Sequence, residues 1–267
     1  MLSYNQFETL QYSNKLNVNI FNNLINHKCA GVVIKNFFNS SEIYSLLKSF
    51  SEIKENKRNP FNGNEGVVFP ESFSVLAKNS FNENEMAEIL PKGNKELFEV
   101  LNTYECDDYQ DKLFNLFSEI GEGYSFVNAT LNGEILKNEK AYFTTLRELY
   151  QNGGGIRKHC EKDLQVYYNK FIKLLGLELP HFQLSYFILL NKPIEGGKLK
   201  IHNQYFFTNM ANEKETEFYI PEIEEGDLVI FNGGEIYHSV SNIIGSENRI
   251  TIGGFLSKKN NNFYSWS

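Results

Sequence analysis

The chain has 267 residues, 41% of them hydrophobic and 15% aromatic, which is enough apolar side chain for one large core or for one core with a helical flank. Its 26 basic residues against 33 acidic ones give a formal charge of -7, without the basic stripe that binding a phosphate backbone requires, which argues against nucleic acid as the main partner. Cys29, Cys106 and Cys160 lie far apart and form neither a CxxC pair nor an even set, so neither structural zinc nor a disulfide framework is expected and a reducing cytoplasm fits best.

The N-terminus, MLSYNQFETLQYSNKLN, lacks a basic stretch followed by an apolar one. Nowhere does an uncharged apolar run approach the ~18 residues needed to span a bilayer, so neither export nor membrane insertion is predicted. Residues 31 to 38, GVVIKNFF, read as a short strand. Asn39, with Glu42 three positions later, forms a capping box that opens the helix EIYSLLKSF. From about residue 54 to 94 the chain is rich in Asn, Gly, Pro and charge, which predicts loops broken by short elements. Residues 95 to 120 place Leu97, Val100, Leu101 and Tyr104, then Leu113, Leu116 and Phe117, at helical spacing, predicting one or two amphipathic helices.

After Gly121 the character changes to short β-branched and aromatic runs separated by Gly, Asn and Pro: AYFTTLREL, FQLSYFILL, GKLKIHNQYFF, DLVIF, YHSVSNI and RITIGGFL. Their number and spacing predict a barrel or sandwich. We expect residues 1–120 to be a helical flank with loops and residues 121–267 a β core, within one structural domain. The run Gly153-Gly154-Gly155 lacks the spacing of a dinucleotide-binding loop.

The chemistry centres on GGGIRKHCEKD, residues 153 to 163. In an extended chain His159 and Glu161 project from one face. A mononuclear Fe(II) oxygenase needs two histidines and one carboxylate on one side of the ion, leaving the other positions open. Of the five histidines, the four besides His159 are available for the missing ligand. His238 follows the strand signal GDLVIF and a Gly233-Gly234 bend, so its side chain can point into a barrel mouth. His181 follows Pro180 at a strand start, His202 shares a strand face with Lys198 and Lys200, and His27 ends a polar helix. All three read as surface positions.

Eleven residues past His238, Arg249 opens the strand RITIGGFL and shares a face with Thr251. An arginine buried there calls for an anion, because an unpaired buried charge costs several kcal/mol. A dicarboxylate such as 2-oxoglutarate supplies one, with its far carboxylate on the guanidinium.

The set HCE (159 to 161), LSYFILLN with EGG (184 to 197), GDLVIF…YH (226 to 238) and RITIGGF (249 to 255) resembles the 2-oxoglutarate/Fe(II) dioxygenase superfamily, over roughly residues 120 to 256. The resemblance implies a mainly β fold with flanking helices, a double-stranded β-helix (jelly roll, cupin-like). It implies Fe(II) on His159, Glu161 and His238, with 2-oxoglutarate as co-substrate, O2 as oxidant and a small molecule as substrate, such as an amino acid or natural-product intermediate. It further implies that Tyr150, Ser185 and Gln183 line the co-substrate together with Arg249 and Thr251. RITIGGF and the EGG turn are also similar to the carrier-independent halogenases of this superfamily, which have Gly or Ala where chloride must reach the iron. Glu161 stands at that place here, which favours hydroxylation over halogenation; desaturation is the alternative within the same chemistry. Asp163, on the same face, is the fallback ligand.

Each residue alone has a plainer reading: HxE as two exposed polar residues on an edge strand, Arg249 as a surface ion-pair partner of Glu247, Thr251 as a good strand former, Tyr150 as core, and His238 as a structural histidine. Their joint order and spacing support the metal site over these plainer readings, with a non-catalytic cupin-like module that binds a metal or small acid without turnover as the alternative.

Overall fold

The computed structural model describes residues 7–12, 19–61, 65–71, 83–103, 108–132, 139–165, 169–178, 182–205 and 218–267. Among these, the strands in chain order are β1 (Phe7–Gln11), β2 (Gly31–Lys35), β3 (Asn59–Phe61), β4 (Gly66–Phe69), β5 (Ser125–Asn128), β6 (Thr145–Leu149), β7 (Ile156–His159), β8 (Gln183–Asn191), β9 (Glu195–Gly196), β10 (Leu199–Tyr205), β11 (Phe218–Tyr219), β12 (Leu228–Phe231), β13 (Ile236–Val240), β14 (Ile243–Ile244), β15 (Arg249–Lys259) and β16 (Asn262–Trp266). The helices are α1 (Ile20–Ile25), α2 (Ser40–Glu52), α3 (Glu83–Thr103), α4 (Tyr109–Ile120), α5 (Glu161–Gln165) and α6 (Asn169–Leu174).

The major sheet runs β1-β2-β12-β8-β15-β6-β4-β3, with β16 and β5 continuing beside the far half of β15. The minor sheet runs β11-β10-β13-β7. The two sheets lie face to face in the jelly-roll manner without closing into a continuous barrel.

The central strands β2, β8 and β12 of the major sheet are buried on both faces, which is why β8 and β12 read as unbroken apolar runs rather than alternating ones. One face carries Val32, Ile34, Ile188, Ile230 and Ile252 and packs on Leu46 and Phe50 of α2, Leu97 and Leu101 of α3, and Leu113 and Phe117 of α4. The other face carries Val33, Val229 and Phe231 and meets Leu199, Ile201 and Ile236 of the minor sheet. Side chains from the flank and from the β half thus share one core.

The capping box at α2 forms as its sequence predicts. Asn39 Oδ1 accepts from the backbone N–H groups of Ser41 and Glu42 at 2.9 and 3.1 Å, and Glu42 returns a carboxylate oxygen to the Asn39 N–H at 2.8 Å. The stretch expected to be loop up to residue 94 is different: α3 begins at Glu83 and continues through Pro91. Met86, Leu90, Leu97 and Leu101 are buried at helical spacing, and that packing outweighs the local breakers. Gly93 sits where a Cβ would lie 2.2 Å from the Tyr142 hydroxyl, so the glycine lets the helix pass over that ring. Tyr104 and His181 fall outside the described residues. No described helix is long and apolar enough to cross a membrane.

Candidate active site

His159 ends β7 and His238 lies in β13, and the two are direct cross-strand partners. Their rings are 4.3 Å apart, centroid to centroid. Glu161 follows after one intervening residue, Cys160. The chain is not extended there, as its alternation predicted, because β7 stops at His159 and Glu161 is the first residue of α5. The carboxylate reaches the imidazoles through this strand-to-helix turn, and the bend takes the place of strand pleating. Ligand atoms of His159, Glu161 and His238 all lie within 4.8 Å of one another. Glu161 Oε1 is 3.4 Å from His238 Nε2 and accepts a hydrogen bond from Ser185 Oγ at 2.9 Å.

The tautomers are set by the backbone. His159 Nδ1 lies 2.7 Å from the Arg157 carbonyl and His238 Nδ1 3.0 Å from the Ile236 carbonyl. A carbonyl only accepts, so each Nδ1 carries the proton and each Nε2 is left with its lone pair. This arrangement is what a metal-bound imidazole requires of its second nitrogen.

Burial, with His238 beside it, pushes His159 down to about 4, so the ring is neutral at physiological pH. Burial alone would raise Glu161, but His238, His159 and the Ser185 hydroxyl overcome it and hold the carboxyl at about 2. Burial works against a charged His238, yet the Glu161 carboxylate more than offsets it and the pKa rises. The half-buried His159 and the buried His238 offer two nitrogen donors beside one buried, ionised carboxylate, a set that fits Fe(II) in charge and ligand type. Asp163 is turned instead toward Cys160 and Tyr237, outside the ligand cluster.

The face of the major sheet that looks on the metal set is continuous. On β8, Ser185 touches Glu161 while Phe187, two residues on, lies under the Arg249 guanidinium, whose carbon is 5.0 Å from the ring centroid. The two positions are separated by one side-chain repeat, about 7 Å. Arg249 and Thr251 are buried, at 7% and 5% exposure. Burial, with Arg147 nearby, lowers Arg249 to about 10, which leaves it protonated. Gln183 is buried at the start of β8, and its carbonyl accepts the Gly234 N–H at 3.1 Å. A Cβ on Gly233 would lie 2.2 Å from Ser185 Oγ and 2.8 Å from Glu161 Oε2, so glycine at that bend leaves room for the Ser185–Glu161 contact.

Tyr150 does not join this face. It lies just past β6, 38% exposed, with its hydroxyl among Glu148, Arg58 and Glu55. Leu149, its neighbour, is the residue that turns inward, onto Val240 and Ile243. The expectation that Tyr150 lines the co-substrate is therefore corrected: strand parity sends it to the other side of the sheet.

Arg147, which the sequence reading passed over, is on the inner face, in register with Thr251. Its guanidinium is held by the Thr145 and Ser267 hydroxyls at 3.1 and 3.2 Å and lies 5.5 Å from the Phe255 ring centroid. Burial lowers it to about 10 against the raising pull of Glu161. A charged residue at inward parity in TLREL was the available signal. His202 lies on the outer face of the minor sheet, bonded to Ser239 Oγ at 2.9 Å.

A jelly roll with a two-histidine, one-carboxylate set at its mouth and a buried arginine on the facing sheet defines a member of the 2-oxoglutarate/Fe(II) dioxygenase superfamily. The family model of the carrier-protein-independent halogenase WelO5 matches residues 5–267, and the chain belongs to that family. No curated protein matches it. Among solved structures it is similar to an N-substituted L-amino acid dioxygenase from Burkholderia ambifaria AMMD, at 13% identity and a TM-score of 0.56, covering 93% of this chain and 90% of that one. The same enzyme in complex with alpha-KG gives 11% identity and a TM-score of 0.56, covering 92% and 89%. At that identity the likeness concerns the fold. The chain is a 2-oxoglutarate-dependent oxygenase whose cofactors are Fe(II) and 2-oxoglutarate.

Proposed function

We propose that this oxygenase hydroxylates a C–H bond of a small molecule, with His159, Glu161 and His238 as the iron ligands and Arg249 with Thr251 as the seat of the far carboxylate of 2-oxoglutarate. The observation that carries the choice of hydroxylation is the buried Glu161 carboxylate, 3.4 Å from His238 Nε2 and fixed by Ser185. It fills the place that the resembling halogenases leave to chloride.

When bound, Fe(II) and 2-oxoglutarate would supply the electrons that activate O2, the keto acid being oxidised to succinate and CO2. The residues of the chain do the rest. His159 and His238 present their Nε2 lone pairs because their Nδ1 protons are committed to backbone carbonyls. Glu161 contributes the single negative charge, and Ser185 restrains its rotation. Arg249, whose guanidinium lies on the Phe187 ring, would hold the far carboxylate of 2-oxoglutarate by charge-assisted hydrogen bonding. Phe231, 4.9 Å from the His238 ring, keeps water from that side of the centre. The fold of an N-substituted amino acid dioxygenase supports free and N-substituted L-amino acids as the first substrates to try.

The test is product analysis across such a panel with Fe(II), 2-oxoglutarate and O2, with and without chloride. We expect succinate release coupled to an oxygenated product, unchanged by chloride. A chlorinated product from the wild type would overturn the assignment in favour of the reaction for which the family is named. Succinate that never rises above background with any substrate would leave a metal-binding module.

A further inference from the structure

We propose that the buried Lys162–Glu235 ion pair is a positioning device for the metal centre, which holds the Glu161 carboxylate at a fixed separation from His238. The proposal rests on the reading of residues 159, 161 and 238 as iron ligands.

Lys162 directly follows Glu161, and Glu235 lies three residues before His238. Their side chains are 5% and 8% exposed, and Lys162 Nζ contacts Glu235 Oε1. The other oxygen of Glu235 faces Asn232 Nδ2 and His27 Nε2, each at 3.4 Å. Two backbone bonds run alongside: the Glu161 N–H donates to the Gly233 carbonyl at 3.0 Å, and the Lys162 N–H to the Gly234 carbonyl at 3.2 Å. Three ties therefore join residues 161–162 to residues 233–235.

A positioning role explains why charges are kept in this place. Beyond His159 the chain leaves the sheet, so no ladder of strand hydrogen bonds holds Glu161. A buried ion pair is seldom more stabilising than apolar side chains of the same volume, because both charges must be stripped of water. What such a pair supplies is a defined geometry, since each partner is satisfied in one arrangement only. Here that arrangement fixes the turn carrying one ligand against the turn leading to another. Outer contacts that orient metal ligands typically contribute 10–100-fold to metal affinity.

The experiment compares wild type, Glu161→Ala, Glu235→Gln and the double variant Lys162→Met/Glu235→Met. Metal affinity is read by anaerobic Fe(II) titration, the ligand field by the visible spectrum of the Co(II)-loaded proteins, and folding by urea denaturation of the metal-free proteins. The double variant removes both charges together, so its urea midpoint should stay near that of the wild type. Its Fe(II) affinity should fall about 10–100-fold with a changed Co(II) spectrum. Glu235→Gln, which keeps the volume and hydrogen-bonding shape, should lose about 10-fold and serves if the double variant does not fold.

The inference is overturned if Glu161→Ala weakens metal binding while both Glu235→Gln and any folded double variant keep wild-type affinity and spectrum. If the wild type binds no Fe(II), or Glu161→Ala binds it unchanged, the ligand assignment itself falls.

Discussion

Gly233→Ala tests how closely Glu161, the proposed carboxylate ligand, is packed. The added Cβ would sit 2.2 Å from Ser185 Oγ, 2.8 Å from Glu161 Oε2 and 3.0 Å from Ser185 Cβ, all well inside ordinary contact. The serine hydroxyl cannot swing away without giving up its bond to Glu161. Overfilling a packed site costs about 1–3 kcal/mol, and losing a hydrogen bond to a charged group costs about 1.5–3 kcal/mol. Gly233→Ala is therefore expected to destabilise the metal-free protein by about 2–3 kcal/mol, and Ser185→Ala by about 1.5–3 kcal/mol. In the double variant the nearest clashing atom is gone while the 2.8 Å approach to Glu161 Oε2 remains, so its cost should fall short of the sum of the two single losses by about 1 kcal/mol or more. Urea denaturation of the four proteins gives the cycle. If the two single losses add to within about 0.5 kcal/mol, the steric argument for this glycine is wrong.

Two further outcomes follow from the same site. Arg249→Ala should raise the KM for 2-oxoglutarate by roughly 30–150-fold, the equivalent of about 2–3 kcal/mol of lost charged hydrogen bonding. Arg249→Lys should recover only part of this, since an ammonium cannot make the paired contact; succinate formation against co-substrate concentration measures both. His159, held down at about 4 in the folded chain, takes up its proton more readily once unfolded, near 6.5. The metal-free protein should therefore lose stability as pH falls from about 6.5 to 4. Urea midpoints across that range should fall for the wild type and flatten in His159→Asn; an equally steep fall in the variant would assign the slope to another group.

Much of the site was legible because its parts sit on strands with strong signals. Arg249 and Thr251 share the inner face of β15 as period-two alternation requires, and His238 emerges from the Gly233-Gly234 bend between two apolar runs. Glu161 was reached for an incomplete reason: alternation paired it with His159, whereas the chain turns into a helix between them, and nothing local to HCE announces that turn. Tyr150 and Arg147 show the cost of one residue of parity, since β6 turns Arg147 and Leu149 to the inside and Tyr150 follows just beyond its end. The first half of α3 was hidden by Pro91, Gly93 and neighbouring Asn and Glu residues, whose local preference is overridden by Met86 and Leu90 packing inward. The Lys162–Glu235 pair was invisible for a different reason: a lysine and a glutamate 73 positions apart read as surface charge until the fold brings them together.

The pairing of His159 with His238 across β7 and β13 also makes the centre a gauge of strand alignment. A slip of β7 by a single residue would turn its imidazole to the outer side of the sheet and leave the proposed ligand set with one of its two nitrogen donors. A metal offered during refolding therefore captures only chains zipped in the native frame, and adding it withdraws those chains from any misaligned pool.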